Sequence, residues 1–555
     1  MNEQMRPLLT ALIGLIASGG HLEAQNTIGL LTNEAAFSQD GYSLFYPQAQ
    51  KVVYLVDNCG RLVHTWEDGT YLPGNGVYLM ENGDLIRCGR NEGAVNPLIQ
   101  AGGAGEMVDR RTWNGDVVWR YTYNSPTVRM HHDVEPLPNG NVLIIAWEYK
   151  TLEEAAALGM DTASVDVASV WPDHIIEIEP LGIEQANIVW EWHAWDHLVQ
   201  DRFPELPNYG VIADHPERIN INYWPVVDPD WHHTNSIDYN EELDQILLSV
   251  PFFNEIWVID HSTTTEEAAS TAGGNSGRGG DLLYRWGDPR SYQRGTELDQ
   301  TLFFQHDARW LGPGLSPEDP DRGRIMVFNN RVGGTYSSVD IIVPPVDEDG
   351  NYTLVEGEPF GPATHEWRYT ATDPETLFSS GLSSAERMPN GNIFICSGQQ
   401  GRLIEVERDG TVVWEYVIPL QGGVPATQGT VMNGAAAFHS KKYPTDHPFL
   451  SSIELPTDTY IELEPNTGFC GSLNVSVPEG PSLQLYMIYP NPTSGLVSIG
   501  CQPGDRIIVM DMFGRTIMTH QAQGDMERLD LSELASGAYG VHVGAAHSTL
   551  VIARE

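Results

Sequence analysis

The chain has 555 residues, too many for one ordinary core and enough for a few domains or one large repeat architecture. Lys and Arg number 30 against 75 Asp and Glu, a formal net charge of −45 that argues against nucleic acid or an anionic membrane as partner. The 55 Gly and 36 Pro demand many turns, while 15 Trp and 22 Tyr suit strands that pack on broad aromatic faces.

The first element is a signal peptide over residues 1–24. Arg6 precedes an apolar run from Leu8 to Ala17, and Leu22-Glu23-Ala24 before Gln25 forms an acceptable cleavage site. A membrane anchor would need about 20 apolar residues, more than this run supplies. No other stretch is apolar for long enough to span a bilayer, so the protein is not expected to be integral to a membrane.

The next signal is internal repetition. Asn82-Gly83-Asp84, Pro138-Asn139-Gly140-Asn141 and Pro389-Asn390-Gly391-Asn392 each precede an apolar strand pattern, and Asn-Gly between such patterns marks a hairpin. A second element carries tryptophan, in Val117-Val118-Trp119, Ile188-Val189-Trp190, Leu283-Tyr284-Arg285-Trp286, His365-Glu366-Trp367 and Val412-Val413-Trp414. Two hairpins per unit make a four-stranded antiparallel blade. The expectation is therefore an all-β, six-bladed β-propeller over 25–445, rather than a sandwich or solenoid. Its blades fall near 74–123, 131–195, 231–287, 305–370 and 378–418, with a sixth split between 430–443 and 42–67. Residues 151–160 look briefly helical, and 196–225 and 262–280 form long loops of the kind that sit on functional faces.

Beyond Tyr443 the repeat fades into a linker, 446–485, rich in Pro, Thr and Glu. The tail, 486–555, has alternating strand patterns separated by turn residues, a small β-sandwich by itself. Tyr489-Pro490-Asn491-Pro492, Ile507-Ile508-Val509-Met510-Asp511-Met512-Phe513-Gly514-Arg515 and Gly537-Ala538-Tyr539-Gly540 closely resemble the C-terminal sorting domain of type IX secretion cargo. That resemblance implies passage through the periplasm and outer membrane, removal of the tail, and a secreted or surface-anchored protein. Of five cysteines, Cys470 and Cys501 can pair near the junction, while Cys59, Cys88 and Cys396 read as small buried hydrophobes.

Candidate chemistry comes from the register of the blades. Seven residues before Asn139 stands His132, and the same count gives Asn75 and Ser383. The matching strand starts are His306 in the fourth blade, His233 in the third and Asn433 in the split blade. In a propeller these positions converge at the channel mouth. Three imidazoles there can supply a nucleophile with hydrogen-bond donors, Asn235 among them, or can hold a metal with an open position. No carboxylate shares the register, which weakens the metal alternative. Strand alternation points His131 and His232 away from the channel, and His197 and His261 lie on loops. Asp133 and Asp307 either orient imidazoles or cap turns.

Met130-His131-His132-Asp133, Trp231-His232-His233-Thr234-Asn235-Ser236 and Gln305-His306-Asp307-Ala308 together resemble the bacterial arylsulfate sulfotransferase family over residues 40–445. So do Trp190-Glu191-Trp192-His193 and Glu255-Ile256-Trp257-Val258-Ile259-Asp260-His261. The resemblance implies a six-bladed propeller that moves a sulfuryl group from a phenolic sulfate donor to a phenol acceptor through a sulfohistidine, with no cofactor. On this reading His306 is the nucleophile, while His132, His233 and Asn235 bind the sulfuryl oxygens and polarise the leaving phenolate. One departure stands out. The family carries an arginine in the third blade where this chain has Pro251 or Phe252. Arg129, Arg331 or Arg387 must then replace it, or the site has decayed to a surface binding propeller.

Overall fold

The computed structural model describes residues 26–90, 96–224, 228–312, 315–456, 458–473, 488–511, 515–543 and 546–554. The expected signal peptide lies outside the described residues. Two compact units divide the chain, Met1–Asn474 and Val475–Glu555.

The first unit is a β-propeller. Among the described residues, six antiparallel sheets of four or five strands follow one another along the chain, each beginning with a strand that meets its counterpart in the next sheet. These inner strands are Leu72–Leu79, Val128–Pro136, Ser236–Asn240, His306–Leu311, Ser384–Arg387 and Ala437–Pro444, and the last touches the first. Closure uses both ends of the unit: Ala437–Pro444 pairs with Gly41–Pro47, which continues into Val52–Asp57 and Leu62–Glu67. No open edge is then left between the first and last sheets. One strand went unforeseen. Gly29–Asn33 adds to the outside of the fifth sheet by pairing with Val412–Val417.

Alternation along the strands builds the core between sheets. Leu143, Ile145, Ile175, Trp192, Ile246, Leu248 and Trp257 interlock between the second and third, almost without solvent exposure. Tryptophans of the outer strands close the seams: Trp119 donates to Gln185 O, Trp190 to Thr263 Oγ1 and Trp414 to Asn58 O. Of the loop expected to be helical, Leu152–Ala157 is one, with Thr151 and Glu154 forming a capping box.

The segment read as a linker behaves differently in its described part. Leu62 N–H donates to Thr459 O, Leu463 N–H to Ala426 O, and Cys470 is bonded to Cys59. This corrects the Cys470–Cys501 pairing and the reading of Cys59 as a buried hydrophobe. Cys501 belongs to the second unit, where it is buried and free, as Cys88 and Cys396 are in the first.

The second unit is a sandwich of a three-stranded sheet, Ile488–Tyr489, Leu496–Gly500 and Met526–Asp530, with a four-stranded one, Arg506–Met510, Thr516–Gln521, Gly537–Val543 and Ala546–Ile552. Val497, Ile499, Ile507, Val509, Leu529 and Val541 fill its interior.

Candidate functional site

Hydrogen bonds between adjacent inner strands define the register. Asp133 Oδ2 accepts from Ile237 N–H, Ser236 Oγ from Ala308 N–H and Asp307 Oδ2 from Ala385 N–H. Ser384 Oγ then accepts from Ser440 N–H, and His439 Nε2 from Val77 N–H. The residue before each acceptor takes the same place in its blade: His132, Asn235, His306, Ser383 and Phe438, with Asn75 completing the ring. Two assignments change. Asn235, not His233, is the in-register residue of the third sheet, and Phe438 replaces Asn433, which is exposed.

The side chains of His132, His233 and His306 are brought together. The rings of His132 and His233 meet edge to face at 4.5 Å. Phe438 lies 5.8 Å from His132 and 6.2 Å from His306, and Phe304 lies 6.3 Å from His233 and 5.9 Å from His306. His233 arrives from the loop before its strand. Bulges in the first, second and fourth inner strands aim Asn75, His132 and His306. Asn75, His132, His233, Phe304, Leu382 and Ser383 all have left-handed backbones, φ between +53° and +95°. Such conformations cost non-glycine residues about 1–3 kcal/mol each and gather where function requires them.

Each histidine has its own electrostatic setting. His306 Nδ1 lies 2.9 Å from Asn330 Oδ1, while Asn330 Nδ2 donates to Ser379 O and Leu382 O. An oxygen at Nδ1 makes Nδ1 the protonated nitrogen, and Nε2 accordingly accepts from Leu382 N–H at 3.1 Å. Burial pushes the pKa of His306 down to about 3, so it is neutral. His233 is the opposite. Burial opposes its charge, but the Asp230 carboxylate hydrogen-bonded to Nδ1 outweighs burial and raises the pKa. Asp230 Oδ1 in turn accepts from Trp147 Nε1–H at 2.8 Å. His132 is held well below its usual pKa, by burial first and then by His233, His131 and His306. Asn235 Nδ2 donates to Gln305 O at 2.8 Å, and its Oδ1 is buried without a partner.

His131 does not point away. Its Nδ1 lies 2.8 Å from His132 Nδ1, and its ring stacks on Trp147 at 3.8 Å. His232 Nδ1 accepts from Asp173 N–H. His197 bridges Asp281 and Ala268 O, and His261 bridges Asp244 and Glu177, which hold its pKa up at about 9 against burial. Asp133 and Asp307 orient no imidazole: besides the backbone bonds above, both bind Arg309, at 2.9 Å. Among the described residues no three His, Cys, Asp or Glu side chains are grouped as a metal requires.

Phe252, one of the two residues where the family arginine is expected, stacks on His233 at 4.6 Å. Arg129 is committed to Glu106, and Arg387 to Asp319 and Asp321. Arg331 is exposed, lies over the Phe304 ring at 3.5 Å, and donates to Ser380 O. Sequence alone gave no sign of Asn330, Phe304 or Phe438. Asp230 did carry a weak signal, three residues before His233.

Residues 31–417 match the family profile described as Arylsulfotransferase (ASST), and 487–553 match the secretion system C-terminal sorting domain. No curated protein matches the chain. Similar solved structures include a protein of unknown function from Bacteroides caccae, 12% identical, covering 73% of this chain and 98% of that one, TM-score 0.38. The Cps50 (Swd1) β-propeller domain of Myceliophteria thermophila is 10% identical over 72% and 89%, TM-score 0.34. Virginiamycin B lyase from Staphylococcus aureus is 11% identical over 71% and 89%, TM-score 0.31. These likenesses are too distant to carry function. The sorting domain marks the protein for export by type IX secretion to the cell surface or outside, and no helix among the described residues is long and apolar enough to cross a membrane.

Proposed function

Because the chain belongs to the arylsulfotransferase family, we propose that outside the cell it moves a sulfuryl group from a phenolic sulfate ester to a phenol, with His306 as the carrier. The observation that carries the reading is the fixed tautomer of His306, with Nδ1–H on Asn330 and the lone pair on Nε2. A neutral imidazole so held is a nucleophile for sulfur. Its lone pair forms the N–S bond as the ester S–O bond breaks, and the phenolate leaves with the electron pair. Attack by the acceptor's oxygen on the sulfohistidine returns the pair to Nε2.

Charge on the sulfuryl oxygens needs cationic donors against so acidic a protein. His233, whose pKa the hydrogen-bonded Asp230 raises against burial, offers Nε2–H in its protonated form. Arg331 offers a guanidinium from the fourth sheet, beside the ring that separates His233 from His306. Asn235 and His132 complete the wall. No nucleotide or metal enters this scheme.

A surface binding propeller is the competing reading. Two observations favour it: Phe252 in place of the arginine, and Leu382 N–H occupying the atom that would attack. Incubation with an aryl sulfate and no acceptor separates the two. The enzyme reading expects added sulfuryl on the peptide containing His306, lost together with transfer in His306→Asn. Phenol release by wild type and His306→Asn alike, or only with divalent metal, overturns it.

A further inference from the structure

Behind His132 the site contains two groups that the scheme above does not use. Asp173, on the third strand of the second sheet, sends Oδ2 to Thr234 N–H at 2.7 Å. Its Oδ1 lies 3.2 Å from His131 Nε2, a contact short of hydrogen-bond geometry, and neither atom has a hydrogen-bond partner among the described residues. The contact is off the ideal line, yet both atoms are buried with nothing else to meet. His131 Nδ1 then faces His132 Nδ1 at 2.8 Å. Three groups thus run in series from a buried carboxylate to the channel mouth.

Two neutral imidazoles that share one Nδ1···Nδ1 bond must hold opposite tautomers, since one ring donates and the other accepts. Both rings are kept neutral, by burial foremost. A carboxylate can only accept, which places the His131 proton on Nε2 and leaves its Nδ1 as a lone pair. His132 must therefore donate through Nδ1. We infer that Asp173 and His131 are positioning residues that lock His132 with a bare Nε2 turned toward the reacting centre, as proton acceptor for the incoming phenol.

This rests on the transferase reading and deepens it. His132 Nε2 makes no hydrogen bond to protein among the described residues. It lies against Gly103, where a Cβ would come within 1.9 Å, so only glycine leaves room for the ring. The phenol proton passes to His132 Nε2, forming an imidazolium. The phenolate oxygen bonds to sulfur, and the N–S pair returns to His306. His132 thus accepts a proton in the second half-reaction, instead of donating to the leaving group in the first. Burial raises the pKa of Asp173, with His232, the Thr234 N–H and His233 acting the other way. A protonated Asp173 would reverse every assignment in the chain.

The test reads the ring nitrogens of His132 directly, by 15N NMR of the full chain labelled in histidine. The resonances are assigned by their loss in His132→Gln. Wild type should show Nδ1 protonated and Nε2 bare. Asp173→Asn keeps an oxygen for Thr234 N–H and turns an N–H₂ toward His131, so the tautomer of His132 should flip to Nε2–H. Wild-type His132 with Nε2–H overturns the inference whether or not the variant folds, and so does a folded Asp173→Asn without the flip. In kinetics, Asp173→Asn should slow transfer to a phenol by about 10²-fold, the low end for a lost general base, while sulfuryl loading of His306 slows far less. Equal slowing of both steps counts against the role. A wild type that turns over no aryl sulfate defeats the transferase reading alone, because the NMR result stands without activity.

Discussion

Neighbouring residues on the same inner strands do opposite things. His132, Asn235 and His306 face the mouth, and His132 sits in a left-handed backbone. Asn235 keeps an oxygen with no partner among the described residues, where His132 Nε2 likewise makes no hydrogen bond. One residue on, Asp133, Ser236 and Asp307 tie each strand to the next and, at the two aspartates, converge on Arg309. Arg309 also donates to Ile237 O and Tyr78 Oη, and its nearness to so many acceptors raises its pKa despite burial. The comparison teaches how a propeller separates strain from strength. The knitted layer keeps the ring closed, so the layer beside it can hold groups in conformations that would otherwise relax.

The largest expected effect comes from breaking each layer in turn. Arg309→Met strands the buried carboxylates of Asp133 and Asp307 and should cost about 3–5 kcal/mol, the usual penalty for half of a buried ion pair. His306→Asn removes the carrier yet should cost only about 1–2 kcal/mol. Chemical denaturation of both variants checks the contrast. Comparable losses would mean that the mouth is structural too.

Acid should act on the mouth layer. Burial lowers the pKa of His306 to about 3 and of His232 to about 4, and also holds His131 and His132 well below the usual imidazole range. The unfolded values are about 6.5. Between 6.5 and these folded values the unfolded chain binds protons that the native one refuses, so this stability is fully present above about pH 6.5 and declines as pH falls. The slope is about 1.4 kcal/mol per pH unit for each such histidine. His261 has the opposite sign: its stabilisation is complete below about 6.5 and fades as pH rises through about 9. Denaturation midpoints from pH 7 to 4 should fall steadily, and His306→Asn should flatten the slope by about one proton. An unchanged slope would mean that His306 is not a neutral group in the native state.

The smallest effect sharpens the question of the missing cation. Phe252→Arg puts a guanidinium against His233, where the family expects one, and should tighten donor binding by about tenfold, the worth of one charge-assisted hydrogen bond. Measured KM for an aryl sulfate reads it. No change would leave the anion to His233 and Arg331.

Sequence carried the repeat because hairpin turns and strand tryptophans are local chemistry. Asn139-Gly140 and Asn390-Gly391 turn in one place whatever surrounds them, with each glycine near φ +90°. His132 was reachable by counting from such a turn, and His306 by matching its strand start to that of His132. Phe438 was not: its strand takes its hairpin partner, Gly41–Pro47, from the other end of the chain, so no turn follows it to count from. His233 failed in a subtler way, since a residue outside the strand register reaches the mouth from a loop.

By itself, then, the sequence determined the class of fold, the sorting tail, and that His132, His233 and His306 lie near one another, because turn chemistry, strand period and motif spacing act over a few residues. Only the tertiary structure decided which nitrogen of each ring carries the proton and which ring carries the charge. Asn330, Asp230, Asp173 and Leu382 make those decisions through bonds of 24, 3, 42 and 76 residues' separation from His306, His233, His131 and His306. Only Asp230 is local: a tautomer is set by whichever donor or acceptor folding delivers to the ring, and the other three partners come from strands or loops distant in sequence.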